Sequence, residues 1–546
     1  MLNGHARVGS WMAIQVDLAN DGPPVGGELR IAGGAQGRTR FGLPVDLPTS
    51  SRKSVTLYAQ PPAFGQAIDV TLSGPSGTVA TRKVAFSAPD PSQTVVGVIA
   101  DRPETVVAAL RLPVNVNGLP PSIVPLKVGD LPDREEAWDP IDRLVWQDTD
   151  TTTLRPTQLA ALRGWLAGGG RLTIVGGTAG ADILAGLPDD LLPYRPLTVL
   201  DVDPASLSGL VGTAKGRPAV VPALAGDPAE ARGKVLAKSG DRIVAGEMRY
   251  GNGAVTLVGF DPTGRWLAGT PASDALWSRL VPLRVGSGPL VLGDDSQLVG
   301  ALMMVPSLAL PPVGGLLGLL VGYILLVGPV NYFVLRRLDK REWAWVTMPA
   351  LVVGFTAAAF IYGNTLRGGQ VLINELSIVR AAPGTTDAVA QVYVGLFSPT
   401  RSTYQVAVPG GALLSAPYSS DMFGGFDASV SASSLDILQG ETARVRDLAV
   451  GYNALRAVRA DVPVVGPKLE ADLRLEGGNI KGTIRNTSTT TLERPRSSSA
   501  APQRSCPTLP PARARRSTRR SPATSSASRS PTGSSDRRSS AATRTS

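Results

Sequence analysis

The stretch VGGTAG, residues 175–180, carries the spacing most suggestive of chemistry in this chain. Gly176, Thr178 and Gly180 form a G-x-T-x-G pattern directly after an apolar run. A strand followed by G-x-nucleophile-x-G makes an elbow that lifts one side chain above a sheet. Polar residues at two other strand ends could share that crest: Asp101 and Arg102 after VVGVIA, and Gln147, Asp148 and Asp150 around RLVWQD. Together with Gly176, Gly177 and Thr178 they form the candidate ligand site. Carboxylates there could act as acid–base groups or cation ligands. The alternative is that Asp148 and Asp150 are ordinary loop and cap residues.

Partners for a nucleophile are scarce. A Thr hydroxyl needs a base, and the only histidine is His5, far away in sequence. The only cysteine is Cys506, so the body of the chain offers no thiol, disulfide or Cys-based metal site. The Gly176-Gly177 pair is no phosphate loop, because neither Lys-Ser/Thr nor G-x-G-x-x-G accompanies it. No catalytic residue, metal site or cofactor is therefore assigned, and Thr178 reads as a turn residue.

The elements that would hold this crest alternate between strand and helix. VVGVIAD (95–101), SIVPLKV (122–128), RLVWQD (143–148) and RLTIVGG (171–177) read as buried strands. TQLAALRGWLAGGG (157–170) reads as a helix, with Pro156 in its first turn and a glycine run ending it. RIVAGEMRYGNGAVTLVGFDP (242–262) is a hairpin turning at Gly251-Asn252-Gly253. Such an order predicts an open, mostly parallel sheet over residues 93–285, with ligands at the C-terminal strand ends.

With its glycine-ended helix, buried strand and elbow, this region resembles the class I glutamine amidotransferases. The resemblance implies an amidotransferase-like α/β domain over roughly residues 94–283. In that family the elbow holds a cysteine, assisted by a histidine and usually a glutamate. Here Thr178 replaces the cysteine and the histidine is missing, so the resemblance implies a domain without glutaminase activity.

On both sides the pattern changes to period two. Met12, Ile14, Val16 and Leu18 alternate with Ala13, Gln15, Asp17 and Ala19, and Asn20-Asp21-Gly22 then turns the chain. Residues 1–92 are predicted to form one β-sandwich and residues 370–492 another. Residues 286–312 are expected to be a linker.

Two apolar runs follow the linker. Val313–Leu335 carries no charge over about 23 residues, or roughly 34 Å as a helix, enough to cross a hydrocarbon core. Trp343–Gly363 is similar. Neither has the polar stripe that a core helix keeps. The island between them, residues 336–342, holds Arg336, Arg337, Lys340 and Arg341 against Asp339 and Glu342. Basic residues beside spans stay in the cytoplasm, so these four would place the turn inside and both chain ends outside. The expected location is the plasma membrane, multi-pass. The order of sandwich, α/β domain, GPVNYFVLRRLDKREWAWV hairpin and sandwich also resembles a family of uncharacterised bacterial membrane proteins.

An exported N-terminal region needs a signal, and MLNGHARVGSWMAIQV shows none. The expectation is that the true start lies upstream. At the other end, residues 493–546 switch abruptly to Arg, Ser, Pro, Ala and Thr. They read as disordered, either as a genuine basic tail or as the product of a frameshift. The formal charge is +10, yet from Arg494 onward there are twelve arginines and one acid, Asp536. The body is close to neutral, which argues against nucleic-acid binding.

The sequence therefore predicts a multidomain α/β plus all-β protein with two transmembrane helices. Its function is expected to be that of an extracytoplasmic scaffold or ligand-binding protein, with the lipid bilayer and envelope proteins as partners and an unknown small ligand. A crest-carboxylate hydrolase and an accessory subunit of a transport or envelope assembly are the alternatives.

Overall fold

The computed structural model describes residues 2–34, 37–63, 65–177, 180–212, 218, 220–283, 295–303, 313–367, 370–417, 434–476, 479–489, 491–493, 496–497, 504–505 and 543–544. The chain is mixed α/β, dominated by strands. Most of the predicted tail lies outside these residues.

Six strands come first: β1 (Met12–Asn20), β2 (Val25–Gly33), β3 (Thr39–Leu47), β4 (Ser51–Ala59), β5 (Ala67–Gly74) and β6 (Gly77–Ala85). The middle region contains β7 (Val95–Ala100), α1 (Pro103–Ala109), β8 (Ser122–Leu126), β9 (Arg143–Gln147), α2 (Pro156–Gly168) and β10 (Arg171–Val175). It continues through β11 (Pro196–Val202), α3 (Ser208–Val211), β12 (Val221–Gly226), β13 (Lys234–Ser239), β14 (Arg242–Tyr250), β15 (Gly253–Val258) and α4 (Pro271–Leu280).

The middle sheet runs β11-β12-β14-β15-β10-β9-β7-β8, with β13 also paired to β14. Strands β8, β7, β9, β10 and β15 are mutually parallel. The chain reverses direction of travel across the sheet between β7 and β9, which is the topological switch point. Both faces are covered, so the strands are apolar on both sides. Val95 and Ile99 pack toward α2, where Leu162, Trp165 and Leu166 meet them. Val96 and Val98 pack toward α1 and α4, against Val106, Leu276 and Trp277.

The last globular region contains β16 (Leu372–Ala381), β17 (Asp387–Ser398), β18 (Ser402–Pro409), β19 (Leu413–Ser415), β20 (Asp436–Leu438), β21 (Thr442–Val450) and β22 (Ala454–Val465). The two β regions, expected as separate sandwiches, are joined. One sheet runs β18-β21-β20-β3-β2-β5-β6, with the two-residue strand Thr543–Arg544 on the β18 edge. The junction is the short β20, which pairs parallel to β3 with Ile437 opposite Phe41. A single core spans both regions, including Leu29, Ile31, Phe41, Ile437, Val445 and Val458. The physical reason is edge satisfaction: each region alone leaves a strand edge and apolar side chains uncovered, and joining closes both. Gln439 seals the seam by bonding to Tyr58 through both its amide oxygen and its amide nitrogen. Among the described residues the later strands β23 (Leu469–Glu476) and β24 (Asn479–Asn486) form a two-stranded sheet of their own.

The expected linker also contains structure. Helix α5 (Ser296–Met303) packs Val299 and Leu302 onto Tyr393, Phe397 and Leu455. Strand β17 is thus covered on both faces, by the shared core at Leu396 and by α5 at Tyr393.

Two helical segments are long and apolar enough to cross a membrane, Leu317–Arg337 and Arg341–Ile361. Their side chains are almost wholly uncovered by protein, Phe333, Trp345 and Phe360 among them. The first consists of α6 (Val313–Leu325), a π-helical turn (Leu326–Val330) and α7 (Asn331–Arg337). Pro329 sits in the π turn, where its missing N–H interrupts the regular ladder. The second is α8 (Ala344–Arg367), which runs past the expected end at Gly363. Tyr323 and Phe355 meet across the pair in a tilted arrangement, with ring centroids 5.1 Å apart. Arg336, Arg337, Lys340 and Arg341 are exposed at the turn, which Asp339 closes in the left-handed region at φ 57°.

Candidate functional site

The crest lies where β7, β9, β10 and β15 end. Gln147 is the last residue of β9 and pairs in register with Val175 of β10. Its side chain is buried, with the residue only 6% exposed. The amide nitrogen donates to Asp261 Oδ1 at 3.1 Å, and among the described residues the amide oxygen has no partner. Asp261 follows β15 and also accepts from the backbone and hydroxyl of Thr263, both at 2.7 Å.

Asp148 turns the chain out of β9 at φ 48°, a conformation Asp tolerates better than most side chains. One of its carboxylate oxygens, Oδ1, is buried and has no hydrogen-bond partner among the described residues. Burial pushes its pKa up. The Gln147 amide opposes this, while the negative charges of Asp261 and Asp101 add to it and Arg102 subtracts. Asp101 accepts from Thr149 Oγ1 at 3.2 Å, and Thr149 O accepts from the Trp146 indole at 2.7 Å.

The two glycines serve different ends. A Cβ on Gly176 would meet Gly259 O at 2.9 Å and Leu224 Cδ1 at 2.6 Å, so this position requires close backbone approach. A Cβ on Gly177 would lie 3.3 Å from Asp148 Oδ1 and 3.5 Å from Asp261 Cβ. Gly177 is thus the floor between the two carboxylates.

Of the expected site, Asp101, Gln147, Asp148, Gly176 and Gly177 come together, with Arg102 exposed at the rim. Asp150 does not join them. It is fully exposed and caps a turn, accepting from Thr152 N at 2.8 Å and from the Thr152 hydroxyl. Those bonds, the backbone one first, hold its carboxyl below the usual range. Thr178 lies outside the described residues. Asp261 was missed by sequence reasoning, although an Asp-Pro directly after an apolar strand is the signal that places it on the crest. Among the described residues, no group of three or more His, Cys, Asp or Glu is arranged to hold a metal ion. What the crest offers is an array of acceptors: two buried oxygens without donors among the described residues, flanked by two further carboxylates.

A family of unknown function, Domain of unknown function (DUF8726), matches residues 1–87. No curated protein matches the chain. Among solved structures, Cytoplasmic Protein STM3548 from Salmonella typhimurium is similar over 33% of this chain and 95% of its own, at 14% identity and a TM-score of 0.26. The exo-beta-1,4-mannosidase Op5Man5 from Opitutaceae bacterium strain TAV5 matches 36% of this chain and 37% of its own, at 15% identity and a TM-score of 0.23. The GH42 beta-galactosidase Gan42B from G. stearothermophilus matches 69% and 41%, at 10% identity and a TM-score of 0.20. These low scores carry no argument about activity.

Proposed function

We propose that this chain is a membrane-anchored, extracytoplasmic binding protein of the cell envelope. Its α/β domain, similar to class I glutamine amidotransferases, binds a small ligand at the crest without acting as a glutaminase. The observation that carries this reading is the pair of buried acceptors at the switch point that have no partner among the described residues, Gln147 Oε1 and Asp148 Oδ1. Leaving such oxygens dry costs about 1–3 kcal/mol each, which a hydrogen-bond-donating ligand recovers. The two apolar helices supply the anchor, and the basic turn between them sets the orientation. The joined sandwiches present surfaces for envelope proteins.

A thermal-shift screen of hydroxyl- and amine-bearing metabolites against the full chain in detergent tests the ligand. Hits at the crest lose their shift in Gly177→Val, which fills the space between the carboxylates. Hits that survive that substitution sink the crest as the site. Orientation is tested separately, with Leu338→Cys in a Cys506→Ser background. An impermeant maleimide must fail to label intact cells and succeed after lysis.

The raised pKa of Asp148 favours one second reading, a hydrolase in which Asp148 donates a proton. Turnover of a crest ligand, abolished in Asp148→Asn while binding persists, would select it over pure binding.

A further inference from the structure

A chamber of about 460 Å³ lies on the side of the middle sheet opposite the crest, between that sheet and the C-terminal strands. Such a volume suits a small molecule. Its walls come from three places. The turn after β8 supplies Glu135 and Asp139, the end of α2 supplies Trp165 and Gly168–Gly170, and the C-terminal sheet supplies Arg380, Asp387, Arg459 and Asp461.

The cations in this chamber are engaged. Arg7 holds Asp142 with two hydrogen bonds, at 2.8 and 3.2 Å. Arg459 is paired with Asp461 at 3.1 Å and with Asp295 at 3.5 Å. Arg380 donates to Gln391 Oε1 at 2.7 Å. The carboxylates of Glu135, Asp139 and Asp387 are different: among the described residues they make no side-chain hydrogen bond or close ion pair, although the charges of Arg380, Arg7 and Arg459 act on Asp139 and that of Arg134 on Glu135. Glu135 rests on the backbone of α2, so close to Gly164 that any side chain there would collide with it. Asp139 is exposed at the chamber wall.

Two further features favour positive charge in the same space. The C-terminal end of the 13-residue α2 opens onto it, where the helix dipole is negative. Two indoles, Trp11 and Trp165, form part of its wall, and indole is the aromatic group that best attracts a cation.

We propose that this chamber binds an organic cation, an ammonium or guanidinium group, through Glu135, Asp139 and Asp387. Without a ligand, the proton is the competing occupant. Burial, followed by the charges of Glu136, Asp387 and Asp139, pushes Glu135 up to about 7 against the weaker pull of Arg134. Binding of a cation must then release that proton.

The test is calorimetric titration of the full chain, in detergent, with agmatine, which carries both groups and keeps its charge across the neutral range. Binding is expected to be at least about tenfold tighter at about pH 8 than at about pH 6, following ionisation of Glu135, with Asp139, which desolvation in the chamber pushes up to about 6, adding to the change. It is expected to fall at least about tenfold in Glu135→Gln/Asp139→Asn. If that variant lacks the parent's near-UV circular dichroism, the rim variant Asp387→Asn replaces it, with an expected loss of about threefold. Glutarate, a dianion of similar length, should not bind. No heat from agmatine at about 10 mM overturns the proposal. Unchanged affinity in the variants, or equal binding of glutarate, overturns it as well.

Discussion

The indole N–H of Trp11 donates to Asp461 Oδ2 at 2.7 Å, joining residues 450 positions apart. The same carboxylate is held by Arg459, which also reaches Asp295 beside α5. Trp11 stacks edge-on against Phe41, one step from the β3–β20 seam. The first and last globular regions therefore stand or fall together. Trp11→Phe removes the donor but keeps most of the packing. It should destabilise the chain by about 1–3 kcal/mol. The check is thermal unfolding followed by near-UV circular dichroism, in which both β regions should melt in a single, lowered transition.

A second clasp crosses the same seam. Glu28 of β2 accepts from Arg446 of β21 at 2.9 and 3.0 Å, and from Arg30 at 3.0 Å. Burial alone would raise the Glu28 pKa, but the bonds from Arg446 and Arg30 outweigh it and hold the carboxyl below its ordinary value of 4.5. A depressed carboxyl contributes stability that is complete above the unfolded pKa and is lost as pH falls through the folded one. Stability should therefore drop as pH falls below about 4.5, and Glu28→Gln should remove that part of the slope. Arg446→Met, which leaves the carboxylate to Arg30 alone, should cost about 2 kcal/mol near neutral pH.

Glu135 has the opposite sign. Its folded pKa is raised, so the folded state binds more protons and loses stability as pH rises from about 4.5 to about 7. Glu135→Gln should be more stable than the parent above neutrality, by on the order of 2 kcal/mol. It should show no gain in mild acid. Equal gains at both pH values would mean that burial of the charge is not the cause. The comparison must be made in buffers free of amines.

Asp148 pairs backbone strain with like-charge crowding at the crest. Asp148→Gly relieves both and should stabilise the protein by about 1 kcal/mol. Crest binding should be lost in the same variant. A destabilised Asp148→Gly would show that this carboxylate is structural, and the crest reading would fail with it.

Much of the local structure was legible in the sequence. The buried parallel strands stand out as apolar runs, and α2 is marked by Pro156 and the glycines after Trp165. The two apolar helices follow from length and lack of charge. Most of the crest was legible too, because strand ends are set by local pattern and the parallel order puts those ends side by side.

The remainder depended on contacts between distant segments. Neither the three residues of β20 nor the eight of α5 carry a pattern that names their partners. Strand β15 reads as half of a hairpin, yet it is also the parallel neighbour of β10. Asp148 and Asp150 are alike in sequence, and only packing makes one a half-buried crest residue and the other an exposed cap. Glu135, Asp139 and Asp387 become a set because a turn, a helix end and a remote sheet close around one space. Hydrophobic periodicity encodes which face of an element is buried. It does not encode what covers that face, because the covering surface comes from chain hundreds of residues away, and that choice belongs to the tertiary fold.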